Sequence, residues 1–566
     1  MKNNWVIAKQ NLKLRNKISE KLDISPIIAQ VLINRGIKDE LEAESFLNPR
    51  LFDLPSPFLM KDMDIAVERL YKALQQSETI AIYGDYDVDG VTSTSLFYNF
   101  INKIGMNVVT YNPDRLSEGY GINKDAIKKL GKKDVTLIIS GDCGITAFDE
   151  VEYAKELGID FIITDHHQPP EKIPDSVAVL NPHQKGCGYP AKEITGVGVV
   201  FNLVVAFRRF LRDKGFFKDD EPNLADYLDL VALGTVADCA PIVNVNRIMV
   251  KEGVRRMGNP KRIGIKVLKD VSGINGAVNS YDLGFKLGPR INAVGRLNNP
   301  QAAVELFTTE DSEVAKSLAN NLNDENTNRQ NIEKNILNEA IQMYEKNENF
   351  NKGGSIVLSS STWHQGVVGI VASRLSDLYR KPTFLIALDE NGIGKGSGRS
   401  VEGVDIYKLI SGFKQVLVEY GGHEQAAGIT IKDENIDSFR ELLSEAVSKF
   451  EVTKEKIVNI DMEIELSMID FKLLEDIQEL APFGLGNPEP VFMVKSVNIK
   501  DQRLFKEKHL GVTVNNDDIS LKAMWFNIKD KVNLPGVVDI VFTPEINYWN
   551  GNREVRLNIK DVYRGR

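Results

Sequence analysis

Short apolar runs alternate with longer stretches of helical spacing between residues 51 and 299. A short apolar run bounded by glycine or polar residues is typical of a buried strand. The runs with this character are residues 79–83, 135–139, 161–164 and 228–236. Strands that alternate with helices form a parallel sheet with helices on both faces. The pattern therefore predicts an α/β domain over residues 51–299.

Two segments of helical character flank this domain. Residues 1–50 have helical spacing that breaks at Asn48-Pro49, which predicts an N-terminal helical segment. Residues 300–350 have helical spacing and no proline after Pro300, which predicts a connecting helix or a helix pair.

Two further domains are predicted downstream. Residues 351–452 show a second, smaller α/β pattern, with strands at 355–358 and 429–431 and a glycine-rich turn at 392–398. Residues 453–566 alternate short strands with turns. The strands predicted there are 456–464, 491–499, 511–514, 521–525, 537–543 and 555–562. Five or six short strands in a small domain favour a closed barrel of the OB type.

Composition places the chain among globular proteins. The apolar share of 42% and the charged share of 26% are ordinary. Cys143, Cys187 and Cys239 are widely spaced, so no disulfide framework is predicted and a reducing compartment fits. We expect a soluble cytoplasmic protein, because no signal peptide and no membrane-spanning run is found. The net charge of −9 neither demands nor excludes a polyanionic partner, since bound cations would cancel part of it.

Three carboxylates, Asp85, Asp87 and Asp89, follow the apolar run at 79–83. So much negative charge at the end of a buried strand is unfavourable unless a cation neutralises it. Hard divalent ions such as Mg²⁺ and Mn²⁺ prefer oxygen ligands of this kind. The motif therefore predicts a metal site, and a solvated turn is the alternative when the motif is taken alone.

Further potential ligands follow the other predicted strands. They are Asp142, Asp165, His166, His167 and Asp238. Ligands in open α/β sheets gather beyond the carboxyl ends of the strands, so we expect these side chains to meet at one edge. The alternative is a set of unrelated strand-end caps.

Taken in order, these motifs resemble the DHH phosphoesterase superfamily, which is named for the Asp-His-His found here at 165–167. The resemblance includes Gly-Asp-Cys-Gly at 141–144 and Gly-Pro-Arg-Ile-Asn-Ala at 288–293. It covers essentially the whole chain and is strongest to the bacterial single-strand-specific 5′→3′ exonucleases. That branch has a DHH domain, a linker helix, a DHHA1 domain and an OB-fold. Pyrophosphatases of the superfamily carry a histidine four residues before the first motif aspartate, where this chain has Ala81.

The resemblance implies two catalytic Mn²⁺ or Mg²⁺ ions bridged by Asp142. The ligands that it implies are Asp85, Asp87, Asp142, His166 and Asp238. Asp165 and His167 would orient the site or face the substrate, because a ligating histidine needs its other ring nitrogen held. A strand-end histidine with one hydrogen bond is the alternative for His167. Asp89 is not assigned as a ligand and is placed behind the ligands.

The resemblance also implies an anion pocket for the 5′ end of the substrate. Arg115 would grip the terminal phosphate, and Tyr120 would pack near the terminal nucleotides. The pocket would be completed by Arg290, Asn292, Ser397 and Arg399. The planar fork of arginine and the exposed backbone N–H groups near glycine suit phosphate oxygens. For residues 396–400 an ordinary glycine-rich loop is the alternative.

Gly421, Gly422 and His423 open a segment similar to the DHHA1 signature. There they would lie across the cleft from the metals, near the scissile phosphate; a helix-initiating turn with a capping histidine is the alternative. Trp363 and His364 resemble a further family motif, or are packing residues at the start of a helix.

The implied function is a single-strand-specific 5′→3′ exonuclease that releases 5′-mononucleotides by two-metal hydrolysis, in DNA repair and recombination. Single-stranded DNA is the expected partner, with a single-strand-binding protein and a helicase as further candidates, and we expect a monomer. One alternative is an oligoribonucleotide or cyclic-dinucleotide phosphodiesterase, which the C-terminal barrel disfavours. Another is a non-catalytic replication scaffold, which the complete set of ligand types disfavours.

Overall fold

A computed structural model describes most of the chain. The described residues are 4–114, 118–119, 121–297, 299–346, 353–450, 457–516, 518–528, 534, 536–549 and 552–563. They form an N-terminal segment, two α/β domains, a connecting helix pair and a barrel, which confirms the predicted fold class. Arg115 and Tyr120 lie outside the described residues. Within the described ranges no helix is both long and apolar enough to cross a membrane.

The N-terminal segment contains strand β1 (Asn4–Ile7), which the sequence did not predict, and three helices. The helices are Leu12–Leu22, Pro26–Asn34 and Glu40–Leu47. The last of them ends at Asn48, where the Asn48-Pro49 break was predicted.

A parallel five-stranded sheet forms the centre of the first domain. Its strands are β2 (Thr79–Gly84), β3 (Asn107–Tyr111), β4 (Val135–Gly141), β5 (Asp160–Thr164) and β6 (Ala178–Leu180), in the order β3-β2-β4-β5-β6. The helices are Met63–Gln75, Val88–Lys103, Lys124–Gly131, Phe148–Glu156, Gly196–Asp213, Leu228–Ala237, Asn244–Met257, Ile263–Val271, Ser280–Asp282 and Gly288–Leu297. Because the strands are parallel, the carboxyl ends of β2, β4 and β5 lie at one edge.

The predicted strand at 228–236 is wrong. These residues form the helix Leu228–Ala237, which ends at Asp238. The helix is buried on nearly all sides, so its apolar residues show no stripe of helical period. An unbroken apolar run does not distinguish a buried strand from a buried helix. Asp238 therefore enters the site from the end of a helix.

Two helices connect the α/β domains, Gln301–Thr308 and the long helix Ser312–Lys346, so of the two predicted possibilities the structure has the helix pair. The first half of the long helix packs Ala319 and Leu322 into the core of the first domain. Its second half packs Ile336 and Ala340 into the core of the second domain. The helix therefore sets how the two domains face each other.

The second domain has a mixed five-stranded sheet. Its strands are β7 (Ile356–Ser360), β8 (Thr383–Leu388), β9 (Ile393–Arg399), β10 (Leu417–His423) and β11 (Ala426–Lys432), in the order β10-β11-β9-β8-β7. Its helices are Val368–Tyr379, Ile406–Ser411 and Ile436–Val447.

The glycine-rich turn predicted at 392–398 is also wrong, because all of these residues except Gly392 lie in β9. A Cβ atom at Gly398 would lie 2.4 Å from the ring of Phe384, and one at Gly394 would lie 2.5 Å from Ile386. The glycines therefore let side chains of a neighbouring strand lie across β9. Residues 421–423 likewise end strand β10 and do not initiate a helix.

The C-terminal part is a closed barrel, as predicted. Its strands are β12 (Ile457–Ile460), β13 (Met462–Glu463), β14 (Phe492–Phe505), β15 (His509–Asn515), β16 (Ser520–Trp525), β17 (Val537–Trp549) and β18 (Asn552–Tyr563), with one helix at Phe471–Gln478. Pairing follows β14-β15-β16-β18-β17, and β17 returns to β14 to close the barrel. The strands β14, β17 and β18 have 14, 13 and 12 residues and are longer than predicted.

The N-terminal segment packs against this barrel. Strand β1 pairs in parallel with β12, and Val31 shares a hydrophobic core with Phe542 of the barrel. Arg35 and Asp461 form a two-pronged ion pair, with Nη1–Oδ1 at 2.7 Å and Nη2–Oδ2 at 3.2 Å. Both side chains are only 9% exposed. The two ends of the chain thus form one packing unit, which we call the terminal unit (residues 4–48 and 457–563).

Candidate metal centre and substrate cleft

The predicted ligands meet at the edge where the strands of the first sheet end. Together with Asp89 and His167, which were not assigned as ligands, they offer ligand atoms in three groups, each within 4.8 Å. The groups are Asp85, Asp87 and Asp142; Asp142, His166 and His167; and Asp89, His166 and Asp238. Because the groups share Asp142 and His166, they form one continuous cluster. Asp87 also accepts a hydrogen bond from the Gly90 N–H and so caps the helix Val88–Lys103.

Asp142 and His166 form the centre of the cluster. Asp142 Oδ1 lies 3.1 Å from His166 Nε2, and among the described residues neither buried atom has a hydrogen-bond partner. Asp142 adopts a left-handed backbone with φ of 66°. Gly196 packs so closely that a Cβ atom there would lie 2.5 Å from that of Asp142. A buried carboxylate oxygen and a buried imidazole nitrogen, both without hydrogen-bond partners among the described residues, are suitable ligands for a divalent cation.

The electrostatics of the cluster lead to the same conclusion. Burial raises the pKa of Asp142 well above its usual range, and the charges of Asp89 and Asp87 raise it further. Burial and the charge of Asp87 raise the pKa of Asp238 to about 7. Burial lowers the pKa of His166 to about 4, so its ring is neutral at neutral pH. Bound cations would stabilise the ionised carboxylates that burial and mutual repulsion otherwise disfavour in this cluster.

Asp165 lies behind the histidines rather than among the ligand groups. Its carboxylate accepts hydrogen bonds from the backbone N–H groups of His166, His167 and Ile145. Burial acts to raise the pKa of Asp165, but the hydrogen bonds and charge of His167 outweigh it and leave that pKa lowered. The 2.8 Å contact between Asp165 Oδ1 and His167 Nδ1 raises the pKa of His167 to about 9. Asp165 therefore orients His167 and keeps it protonated.

Asp89 connects the cluster to a helix. Its carboxylate accepts hydrogen bonds from the N–H groups of Gly196 and Val197, at 2.7 and 2.9 Å. These residues begin the helix Gly196–Asp213, so Asp89 fixes the helix end that packs against Asp142. Asp89 also lies 3.9 Å from His166 Nε2, which leaves it at the margin of the cluster.

Sequence reasoning missed Gly196, Val197 and Asn112. Asn112 follows strand β3, and its side-chain amide donates to the backbone carbonyl of Asp85 at 2.6 Å. The local signal for Gly196 and Val197 was the glycine-containing start of an apolar helix at 195–198, and no local signal marked the role of Asn112.

The shifted pKa values predict how the stability of the metal-free protein depends on pH. His167 has a folded pKa of about 9, above the unfolded value of about 6.5, so its stabilising contribution is complete below pH 6.5 and is lost by pH 9. Asp238, with a pKa raised to about 7, likewise makes the folded state less stable as the pH rises, but over a lower pH range that ends near pH 7. His166, with a pKa lowered to about 4, makes the folded state more stable as the pH rises, but only below pH 6.5.

We therefore expect the melting temperature in chelator to fall between pH 6.5 and 9. Saturating Mn²⁺ should raise it, most strongly at the alkaline end, and His167→Asn should flatten the metal-free decline. Melting curves with EDTA and with Mn²⁺ across this range measure it. A metal-free melting temperature that rises with pH in this window would contradict the electrostatic account.

The predicted anion pocket residues lie on both sides of a contact between the two α/β domains. Asn292, on the helix Gly288–Leu297, accepts a hydrogen bond from the Val88 N–H, and Arg290 Nε donates to Asn323 of the connecting helix. Across the domain contact, Arg399 Nη1 donates to Ser397 Oγ at 3.0 Å in strand β9.

Glycines at the start of the helix Val368–Tyr379 bring these parts together. A Cβ atom at Gly369 would lie 2.8 Å from Ser397 Oγ. Arg296, at the end of the helix that carries Arg290, donates to the Gly366 carbonyl at 3.2 Å. The structure thus brings Ser397 and Arg399 to the same interdomain contact as the helix Gly288–Leu297.

His423 is exposed at the end of strand β10, where its Nδ1 accepts from the Gln425 N–H. The preceding Gly422 has φ of 140°, and a Cβ atom there would lie 2.3 Å from the Ala426 carbonyl oxygen. Trp363 is buried and packs in the core of the second domain. His364 Nδ1 accepts from the Gly366 N–H and so shapes the loop before the helix Val368–Tyr379.

Comparison with known proteins identifies the family. Three family models match: the DHH family N-terminal domain over 79–235, the DHHA1 domain over 353–449 and the RecJ OB domain over 460–561. The chain is 37% identical over 99% of its length to the single-stranded-DNA-specific exonuclease RecJ of Bacillus subtilis, of which it spans 70%. It is 34% identical over 98% of its length to the RecJ exonuclease of Salmonella typhimurium, of which it spans 100%. The chain belongs to the RecJ family.

Solved RecJ structures share the fold. RecJ from Thermus thermophilus in complex with Mn²⁺ superposes with a TM-score of 0.86 at 27% identity, covering 100% of this chain and 80% of that chain. The Mg²⁺ complex of the same protein gives a TM-score of 0.80 at 25% identity, covering 100% and 79%. Both ions are of the hard type that the donor set of the cluster fits.

Proposed function

We propose that the protein degrades single-stranded DNA from the 5′ end and releases 5′-mononucleotides by metal-dependent hydrolysis, in DNA repair and recombination. The observation that carries this is the buried pair of Asp142 Oδ1 and His166 Nε2, unpartnered among the described residues and 3.1 Å apart at the edge of the sheet. Membership of the RecJ family supports the choice of substrate.

The chain's own residues have distinct roles in this reaction. The five residues that would hold two divalent ions are Asp85, Asp87, Asp142, His166 and Asp238. When bound, such ions activate water and stabilise the attacking and leaving oxygens of a phosphodiester. His166 offers a neutral nitrogen because its pKa is about 4. His167, oriented by Asp165, carries a proton at neutral pH and so places positive charge beside the reacting phosphate.

The 5′ end of the strand would lie in the interdomain contact. We assign its phosphate to a pocket made by Arg290, Asn292, Ser397 and Arg399. Arg115 and Tyr120, which lie outside the described residues, remain candidates for contacts with the terminal phosphate and nucleotide. Gly421, Gly422 and His423 would form the opposite lip of the cleft. A pocket that holds the end of the strand near the metal centre explains release of one nucleotide at a time.

Replacing Arg399 with alanine is expected to weaken the preference for a 5′-phosphorylated end. Loss of a charge-assisted hydrogen bond costs about 1.5–3 kcal/mol, or about tenfold or more in kcat/KM on that substrate. A 5′-hydroxyl strand should lose much less, because it lacks the phosphate. Arg380→Ala is the control. Arg380 follows the last residue of the helix Val368–Tyr379, whereas Arg399 lies near Gly369 at the start of that helix. Equal losses on both substrates would place the pocket elsewhere.

Digestion of end-labelled DNA tests the proposed function. A 5′-labelled single strand should release labelled mononucleotide first, whereas a 3′-labelled strand should shorten progressively and lose its label last. Chelator should stop both reactions, and a blunt duplex should resist. Release of labelled mononucleotide first from the 3′ end would overturn the proposed polarity.

We divide the chain into an N-terminal helical segment (1–50), a DHH catalytic domain (51–299), a connecting helix (300–350), a DHHA1 domain (351–452) and an OB-fold domain (453–566). We further propose that the protein acts in the cytoplasm as a monomer, together with a single-strand-binding protein and a helicase. The closed barrel argues against an oligoribonucleotide or cyclic-dinucleotide phosphodiesterase. The complete ligand cluster argues against a non-catalytic replication scaffold.

A further inference from the structure

Two aromatic side chains, Tyr281 and Phe285, stack on each other at the surface of the first domain. Their ring centroids are 4.9 Å apart, and their planes differ by 25°. Tyr281 is 61% exposed and Phe285 is 70% exposed. A stacked pair that leaves most of both rings in water contributes little to the core, so stability does not account for it.

The pair belongs to a segment that packs against the end of the helix leading to the ligand Asp238. Tyr281 belongs to the helix Ser280–Asp282, and Phe285 belongs to the π-helical turn Leu283–Leu287 that leads into the helix Gly288–Leu297. A Cβ atom at Gly284, next to Phe285, would lie 3.7 Å from Val236. A Cβ atom at Gly288 would lie 3.3 Å from Ala237, the residue directly before the ligand Asp238.

The backbone that carries the rings is held in place. Asn279 and Asp282 form a reciprocal capping box, and Lys286 Nζ pairs with Asp282 Oδ1 at 2.7 Å. Leu283 and Leu287 are fully buried on the other side of the turn. The two rings therefore project from a fixed element, which lowers the entropy lost when a ligand packs on them.

We propose that the Tyr281–Phe285 pair is a stacking platform for an unpaired base of the strand bound at the metal centre. The proposal rests on the proposed function and adds a contact that selects single strands. Aromatic faces stack on any base, whereas a paired base reaches such a face only by leaving its duplex. The packing of this turn against Val236 and Ala237 places the platform on an element that contacts the residues directly before Asp238.

Alanine substitution at each ring tests the platform. Phe285→Ala and Tyr281→Ala should each raise KM for a single strand by about tenfold, from the loss of one base stack, with little change in kcat. Phe285→Trp, which keeps an aromatic ring at this position, should have a KM close to that of the wild type. The control is Phe52→Ala, which removes a ring that is 93% exposed and lies in the turn Leu51–Asp53.

An abasic scan tells a base stack from any other contact. One abasic position along the strand should weaken wild-type binding by the same factor as Phe285→Ala, and the variant should show no further loss at that position. Unchanged KM in both alanine variants, or independent losses at every abasic position, would overturn the platform while leaving the exonuclease assignment in place. A wild-type protein that does not degrade single strands would overturn the proposed function itself, and the platform with it.

Discussion

Asp142→Asn is expected to lower kcat on single-stranded DNA by about a thousandfold, because the carboxylate is shared by two of the ligand groups. Stabilisation by a metal ion is worth several kcal/mol of transition-state charge, and each ~1.4 kcal/mol is about tenfold in rate. Asparagine is preferred to alanine because it tolerates the left-handed backbone at this position, where φ is 66°. The metal-free variant should melt at a higher temperature than the metal-free wild type, since a buried carboxyl with a raised pKa has been removed.

The rates should be measured at saturating Mn²⁺, with circular dichroism to confirm the fold. Asp149→Asn is the matched control, because Asp149 is an exposed aspartate in the helix that follows the same strand. Turnover near that of the wild type in Asp142→Asn would show that Asp142 is not a metal ligand.

Arg35→Ala is expected to destabilise the terminal unit by about 3 kcal/mol, since it leaves the Asp461 carboxylate buried without its partner. The lost partner also donates to the Pro488 carbonyl, but that contact is exposed and water can replace it, so most of the effect comes from Asp461. Lys17→Ala is the control. It breaks a 2.8 Å pair with Glu40 in which the lysine is mostly exposed, and such pairs contribute less than about 1 kcal/mol.

Urea unfolding monitored by tryptophan fluorescence measures the difference, because Trp5 and Trp525 both belong to the terminal unit. Trp5 Nε1 donates to Asp561 Oδ2 at 2.6 Å and so connects β1 to the barrel. Equal midpoints for Arg35→Ala and Lys17→Ala would show that the two chain ends are not coupled through this pair.

This coupling changes how truncations should be designed. Removing only the barrel would expose the apolar face of the N-terminal helices, including Ile28 and Val31. It would also leave Arg247 without the carbonyls of Leu480 and Ala481, to which its buried guanidinium donates. A loss of activity in such a truncation would therefore reflect misfolding as well as weaker DNA binding.

Local patterns accounted for the parts of the fold and site that depend on neighbouring residues. The apolar runs before Asp85, Asp142 and Asp165 predicted the buried strands, and parallel strands bring their ends to one edge. The alternating pattern after residue 453 similarly predicted a closed barrel. In these cases the hydrophobic pattern of a short segment is enough to predict the element that the segment forms.

Contacts between distant residues account for what the sequence did not predict. The helix Leu228–Ala237 has no polar face because other elements bury it on nearly all sides. The glycines of β9 resemble a turn until the ring of Phe384 is seen to occupy the space beside Gly398. The pairing of β1 with β12 joins residues more than 450 positions apart, and no local signal marks it.

The most direct test of the central claim is a crystal structure with Mn²⁺ and its anomalous difference map. We expect two strong peaks among the ligands of the cluster, next to Asp142 and His166, and their loss in Asp142→Asn. A map with strong manganese peaks elsewhere in the protein and none beside Asp142 and His166 would contradict it.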